Sequence, residues 1–180
     1  IVFVGKLVPE KGVDIYVESV KLVANKFSDW KFYIIGSSKS GLDKVETRYA
    51  KEIIDSFLGI GKNVKYYGFL PNLKVSNILQ KASILVVPSV WEEPFGLTAL
   101  EGIANRQAVI ASKVGGLVDI ISKRGILIQN IDKRKIANRL TNLMKNKDEL
   151  KKYQNKAWKN YNFNQKNISK KQDKIRKEII

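Results

Sequence analysis

Ile84-Leu85-Val86-Val87-Pro88-Ser89-Val90-Trp91-Glu92-Glu93-Pro94-Phe95-Gly96-Leu97-Thr98-Ala99-Leu100-Glu101 opens on a continuous branched apolar run and then changes period. An unbroken run of this kind suits a strand covered on both faces, as in a parallel sheet. The segment after the turn has helical spacing. Pro94 is expected in its first turn, where a missing N–H costs nothing. That register puts Glu93 at the cap and Leu97, Thr98 and Glu101 on one exposed face. Leu100, Ile103 and Ala104 then point at a core.

The same strand–turn–helix unit recurs along the chain. Apolar runs at Ile1–Val4, Lys31–Ile35, Asn63–Tyr67, Ala108–Ala111 and Gly125–Ile128 predict five further strands. Val13–Phe27, Arg48–Leu58, Leu73–Lys81 and Gly96–Asn105 carry apolar residues near a 3.6 period and predict helices. Val13, Tyr16, Val17, Val20 and Val23 make the clearest stripe. This alternation predicts an α/β domain: a Rossmann-like open parallel sheet of about six strands, with right-handed crossovers and helices on both faces. After Asp132 the strands stop. Ile136, Leu140, Leu143 and Met144 mark one C-terminal helix, and Leu150, Tyr153, Ala157 and Trp158 mark another. Residues 1–164 are therefore expected to form one domain. Residues 165–180 read as a strongly charged helix with too few apolar residues to pack on it.

Composition narrows the chemistry. The 180 residues contain no Cys and no His, which excludes disulfides, thiol nucleophiles, imidazole bases and Cys or His metal sites. No apolar run approaches the roughly 20 residues that span a bilayer, and no secretory signal opens the chain. Ile1 already lies inside an apolar run, so the chain reads as a piece of a longer, cytoplasmic protein. Lys and Arg outnumber Asp and Glu by 33 to 17, for a net charge of +16. Residues 1–132 hold 17 basic and 13 acidic side chains, whereas residues 133–180 hold 16 and 4. A tail so basic suits an anionic membrane surface or nucleic acid. Aromatic residues are not interleaved with it as base stacking needs, so nucleic acid is not expected as a partner.

In a doubly wound sheet, ligands bind beyond the carboxyl ends of the strands. Three loops lie there. Gly5-Lys6-Leu7-Val8-Pro9-Glu10-Lys11-Gly12 brings two lysines to a strand-to-helix turn, a favourable place for phosphate. No Ser or Thr follows Lys11, so the turn is not a P-loop. The loop before Glu101 offers two carboxylates that can accept hydroxyl hydrogen bonds from a ribose or hexose, with the amides near Gly96–Thr98 facing the same space. Ser112-Lys113-Val114-Gly115-Gly116 permits close backbone approach to a ligand.

Gly5-Lys6-Leu7 with Lys11-Gly12, Asn63–Gly68, Pro88-Ser89, Glu93-x7-Glu101 and Val114-Gly115-Gly116 occur in the order and spacing of the retaining GT4 glycosyltransferases, which nearly the whole chain resembles. That family has two Rossmann-like halves, the GT-B fold, and the chain resembles the C-terminal half, which binds the nucleotide sugar. The resemblance implies that Lys6 and Lys11 neutralise the donor diphosphate and that Glu101 holds the ribose hydroxyls. It implies further that Glu93 and the amides of Phe95, Gly96 and Leu97 hold the transferred sugar, with Thr98 near the diphosphate. Phe69 and Leu70 would border the base, and Gly115 and Gly116 would lie at the donor site. Glu93, Lys6 and Lys11 are then the catalytic set, working without a metal or other cofactor. The implied reaction is transfer of a hexose-type sugar, with retention, to a glycan or glycolipid acceptor in polysaccharide biosynthesis. The acceptor half of the same protein is the expected partner; residues 165–180 would cross to it, and the chain alone would be inactive. A nucleotide-sugar epimerase of the same fold is the alternative reading, and a basic nucleic-acid-binding module a weaker one. Lys6 replaces the family's usual Arg, Gly102 its usual Ala (expected to loosen the helix slightly) and Asp119 its usual Glu, so Asp119 is given no role.

Overall fold

The computed structural model describes residues 1–39 and 46–159. Six strands, β1 (Val2–Val4), β2 (Phe32–Ile35), β3 (Val64–Tyr66), β4 (Ile84–Val87), β5 (Ala108–Ser112) and β6 (Ile126–Ile128), pair in parallel in the order β3-β2-β1-β4-β5-β6. This is the doubly wound order, and the direction in which successive strands are added reverses between β1 and β4. All four residues of β4 and all five of β5 are buried, as their unbroken apolar runs require, while the edge strand β3 is only half covered.

The helices are α1 (Val13–Val23), α2 (Arg48–Leu58), α3 (Asn72–Leu79), α4 (Leu97–Ala104), α5 (Leu117–Ile121), α6 (Lys133–Lys145) and α7 (Lys147–Lys159). Side chains of α1, α2 and α6 pack with Phe3, Phe32, Ile84 and Ile110 in one apolar layer. Those of α3, α4 and α5 pack with Val2, Ile35, Leu85 and Val109 in the other. The stripe Val13, Tyr16, Val17, Val20 and Val23 is buried as its spacing predicts. Helix α7 joins the first layer through Leu150 and the second through Ala157.

Two helix ends differ from the sequence expectation. The α1 helix stops at Val23 and tightens into a 3-10 turn over Ala24–Lys26, where the Asn63 side-chain amide donates to the Ala24 carbonyl at 3.0 Å. The helix expected to begin at Pro94 begins at Leu97, because Gly96 holds φ at +88°, which no helix admits. The buried face of α4 is consequently Ala99, Gly102 and Ile103, with Leu100 and Ala104 only partly covered. Gly102 is a packing residue there: a Cβ would meet Leu85 and the Gln107 side chain. Helix α5 was not foreseen; five residues are too few to show a period. Residues 165–180 lie outside the described residues.

Candidate functional site

The loops after β1 and β4 meet at the point where the strand order reverses. Pro9–Lys11 form a 3-10 turn that ends at Gly12, and Gly12 sits in the left-handed region at φ +64°. A Cβ on Gly12 would overlap the Pro88 carbonyl oxygen, so only glycine lets the two loops touch here. The Val90 amide donates to the Glu10 carbonyl at 3.0 Å and fastens them further.

This clamp brings Lys11 to Glu93. The Lys11 ammonium donates to Glu93 Oε1, to which the Ser89 hydroxyl also donates at 2.7 Å. The Lys11 Nζ also lies 5.2 Å from the centre of the Trp91 ring, within cation–π range. Only about a tenth of the Glu93 side chain is exposed. Burial alone would raise the Glu93 pKa, but hydrogen bonds from Lys11, Ser89 and Trp91 outweigh it and hold the carboxyl below its ordinary value. Glu93 is therefore a buried, ionised carboxylate rather than a helix cap, since no side chain caps α4.

Two cavities adjoin at the tip of β1, sharing Val4 and Gly5. The smaller, about 300 Å³, is lined by Lys11, Ser89, Glu93 and the segment Pro94–Thr98. The first N–H groups of α4 have no intrahelical acceptor and carry the positive end of the helix dipole. The larger, about 520 Å³, is lined by Lys6, Lys39, Phe69, Leu70, Glu101 and Asn105 among others. Phe69 is 77% exposed and stands at its edge. Glu101 opens to this cavity, yet the walls around it exclude enough water to raise its pKa.

Ten of the twelve residues singled out from the sequence thus line one cavity or the other. Gly115 and Gly116 do not. They lie under the loop after β4, where the Gly116 amide donates to the Glu93 carbonyl at 2.6 Å and a Cβ on either glycine would strike backbone of residues 92–95. They support the floor of the smaller cavity from behind. The sequence alone assigns no role to Ser89, Trp91, Ser37 or Lys39. For Trp91 and Ser89 the available signal was their place in the same loop as Glu93. Ser37 is fixed by Glu46, whose carboxylate accepts from the hydroxyls of Ser37 at 2.6 Å and Ser38 at 2.5 Å. Burial opposes ionisation of Glu46, and these bonds together with that from Tyr66 outweigh it and lower its pKa.

A family model for glycosyl transferases group 1 matches residues 1–160. The chain belongs to that family. An uncharacterized glycosyltransferase of Methanocaldococcus jannaschii is 34% identical over 152 residues, 83% of this chain and 39% of that protein. Among solved structures, HepE of Anabaena in complex with UDP superposes with a TM-score of 0.73 at 21% identity, covering 87% of this chain and 42% of that one. The C-terminal domain of a group 1 glycosyl transferase from Francisella tularensis gives 0.73 at 23% identity, over 88% of this chain and 82% of that domain. The fold is that of GT-B glycosyltransferase neighbours. The chain spans about two fifths of the length of the archaeal relative and of HepE. Among the described residues no helix is long and apolar enough to cross a membrane, and no three carboxylates gather as a metal site.

Proposed function

We propose that residues 1–164 form the donor-binding half of a retaining GT4 glycosyltransferase, which moves a hexose-type sugar from a nucleotide diphosphate sugar to a glycan or glycolipid. One observation carries this reading. An ion-paired Lys11–Glu93 and an uncapped helix start face one cavity, which adjoins a second holding Lys6 and Glu101. An extended ligand with a diphosphate at its middle matches that layout. The nucleoside lies in the larger cavity, with its base against Phe69 and Leu70 and its ribose hydroxyls on Glu101. The diphosphate crosses the β1 tip between Lys6 and Lys11, near the Thr98 amide. The sugar enters the smaller cavity, where Glu93 and the amides of Phe95, Gly96 and Leu97 receive its hydroxyls.

The chemistry follows from those positions. Departure of the diphosphate puts negative charge on its bridging oxygen as the anomeric carbon takes on oxocarbenium character. Lys6, Lys11 and the α4 dipole stabilise that charge without a metal. Glu93 is held by three donors, so it orients the sugar and does not attack it. HepE, a fold neighbour, binds UDP, which supports a nucleotide ligand at this rim. Turnover on this reading needs the acceptor half, so the 180-residue chain binds donor and remains inactive in a cytoplasmic polysaccharide pathway. The epimerase alternative has no observation in its favour here.

A thermal-shift panel of nucleoside diphosphates and nucleotide sugars tests the reading on the chain itself. A ligand at 100 times its Kd adds about 2.7 kcal/mol, or roughly 5–10 °C in Tm for a domain of this size. No shift with any member would end it. Glu101→Gln should weaken the best ligand by about tenfold, the loss of one charge-assisted hydrogen bond. Because the Glu101 pKa is raised, wild-type affinity for a nucleotide sugar, whose two phosphates have no ionisation in this range, should also climb as pH rises from 4.5 through that value, while the Gln variant stays flat; calorimetry across this range reads both.

A further inference from the structure

Outside the cleft, the helix with the greatest net positive charge among the described residues is α6. This helix carries Lys133, Arg134, Lys135, Arg139 and Lys145 and no carboxylate. Its apolar stripe is buried against α1, leaving all five cations exposed. Lys133 pairs with Glu18 at 3.2 Å and Lys135 with Asp132 at 3.7 Å. The Arg134 backbone N–H donates to Asp132 at 2.8 Å and, after the Lys135 N–H, the Arg134 charge helps hold the Asp132 carboxyl below its ordinary pKa. The Arg134 and Lys145 side chains nonetheless make no ion pair among the described residues, nor does Lys26 in the turn after α1. These three line a groove of about 470 Å³ between α1 and α6, whose lining includes Leu22, Val23 and Phe27 but no acidic residue. Leu22 is 45% exposed.

We propose that this α1–α6 face docks on an anionic phospholipid bilayer, with lipid phosphates seated among Lys26, Arg134 and Lys145 and Leu22 against the headgroup–acyl boundary. Cations all held in ion pairs on a mixed-sign surface would be the arrangement of a merely solvated helix; here three cations outside any side-chain ion pair converge on a concave strip with an apolar floor and no acidic lining. A polybasic surface gains affinity from each Lys or Arg brought near anionic lipid. The exposed aromatics Phe69, Trp91 and Phe95 stand at the cleft, and the Trp158 ring lies on α7 under the Arg106 guanidinium, 4.2 Å away. The one aromatic in the groove, Phe27, is partly buried against the core and no second ring stands beside it, so the groove lacks the row of exposed rings that stacks successive bases, which favours lipid over nucleic acid. The cleft opens at the carboxyl ends of the strands, whereas the groove runs along a helical layer. A docked domain keeps its donor site open to solution beside the membrane. This proposal is independent of the transferase reading.

The test is co-sedimentation of the 180-residue chain with phosphatidylcholine vesicles, with and without phosphatidylglycerol. The wild type should pellet only with the anionic vesicles. Lys26→Gln/Arg134→Gln/Lys145→Gln should weaken this about a hundredfold, and Arg134→Gln alone about fivefold. The control Lys62→Gln/Lys74→Gln/Lys81→Gln removes the same charge elsewhere and should lose less than a tenth as much. Both triple variants must keep the wild-type Tm; if the groove triple does not, the single variant decides. Equal losses in the two triples would reduce the effect to net charge and overturn the proposal. So would binding indifferent to phosphatidylglycerol, or a groove-dependent RNA gel shift with no vesicle binding.

Discussion

On the proposed function, Lys11→Ala in the full-length protein should lower the transfer rate by about 10²–10³, the usual loss when one preorganised donor to a developing anion is removed. The expected magnitude is large because Lys11 serves two charges. It faces the cavity assigned to the diphosphate, and it neutralises Glu93 beneath it. The substitution therefore also leaves a buried carboxylate with fewer donors, at about 1–3 kcal/mol in stability. Ser89 and Trp91 remain and keep the cost at that level. A Lys11→Ala/Glu93→Gln double variant should recover part of the stability and none of the rate, which separates the two roles. The acid side of the stability profile should move as well. In the wild type the Glu93 pKa lies below its unfolded value of 4.5, so the pair contributes fully above that pH and is lost as pH falls through the folded value. With Lys11 gone, burial is opposed only by Ser89 and Trp91, so the Glu93 pKa rises from its wild-type position, and acid unfolding should begin at higher pH. Urea midpoints measured from pH 3 to pH 7 follow this directly.

Gly12→Ala should cost about 3–5 kcal/mol, among the larger effects a single methyl can have. Two penalties combine. An alanine at φ +64° costs about 1 kcal/mol or more in backbone strain, and its Cβ would overlap the Pro88 carbonyl oxygen. Backbone cannot step aside as a side-chain tip can, so the loops after β1 and β4 must separate. Separation pulls Lys11 from Glu93, and nucleotide affinity should fall along with a Tm drop of roughly 6–20 °C. A variant that melts like the wild type would show that the clamp is not what sets the spacing of the two cavities.

Most of the fold was legible because β4 and β5 are buried on both sides, and a continuous run such as Ile84–Val87 has few other uses. The stripe of α1 was equally plain. The start of α4 is misplaced because Pro94 satisfies the rule for a first helical turn, while the left-handed Gly96 that overrides it lies so close to α5 that a Cβ there would meet Leu117 and Ile120. Such long-range contact leaves no local trace. The site divides in the same way. Lys11 and Glu93 could be named from their loops, but not that they bond to one another across 82 residues of sequence. Gly115 and Gly116 were expected at a ligand; the structure puts them against the backbone of residues 92–95, a contact that a Gly-Gly pair does not distinguish from a ligand's approach.

Helix α7 gives the domain its mechanical character. Two hydrophobic layers separated by a sheet could in principle melt one after the other, as leaves of a hinge can swing apart. One thirteen-residue rod with an anchor in each layer ties them into a common transition. Loosening either anchor would then be felt on the far side of the sheet, well away from any ligand.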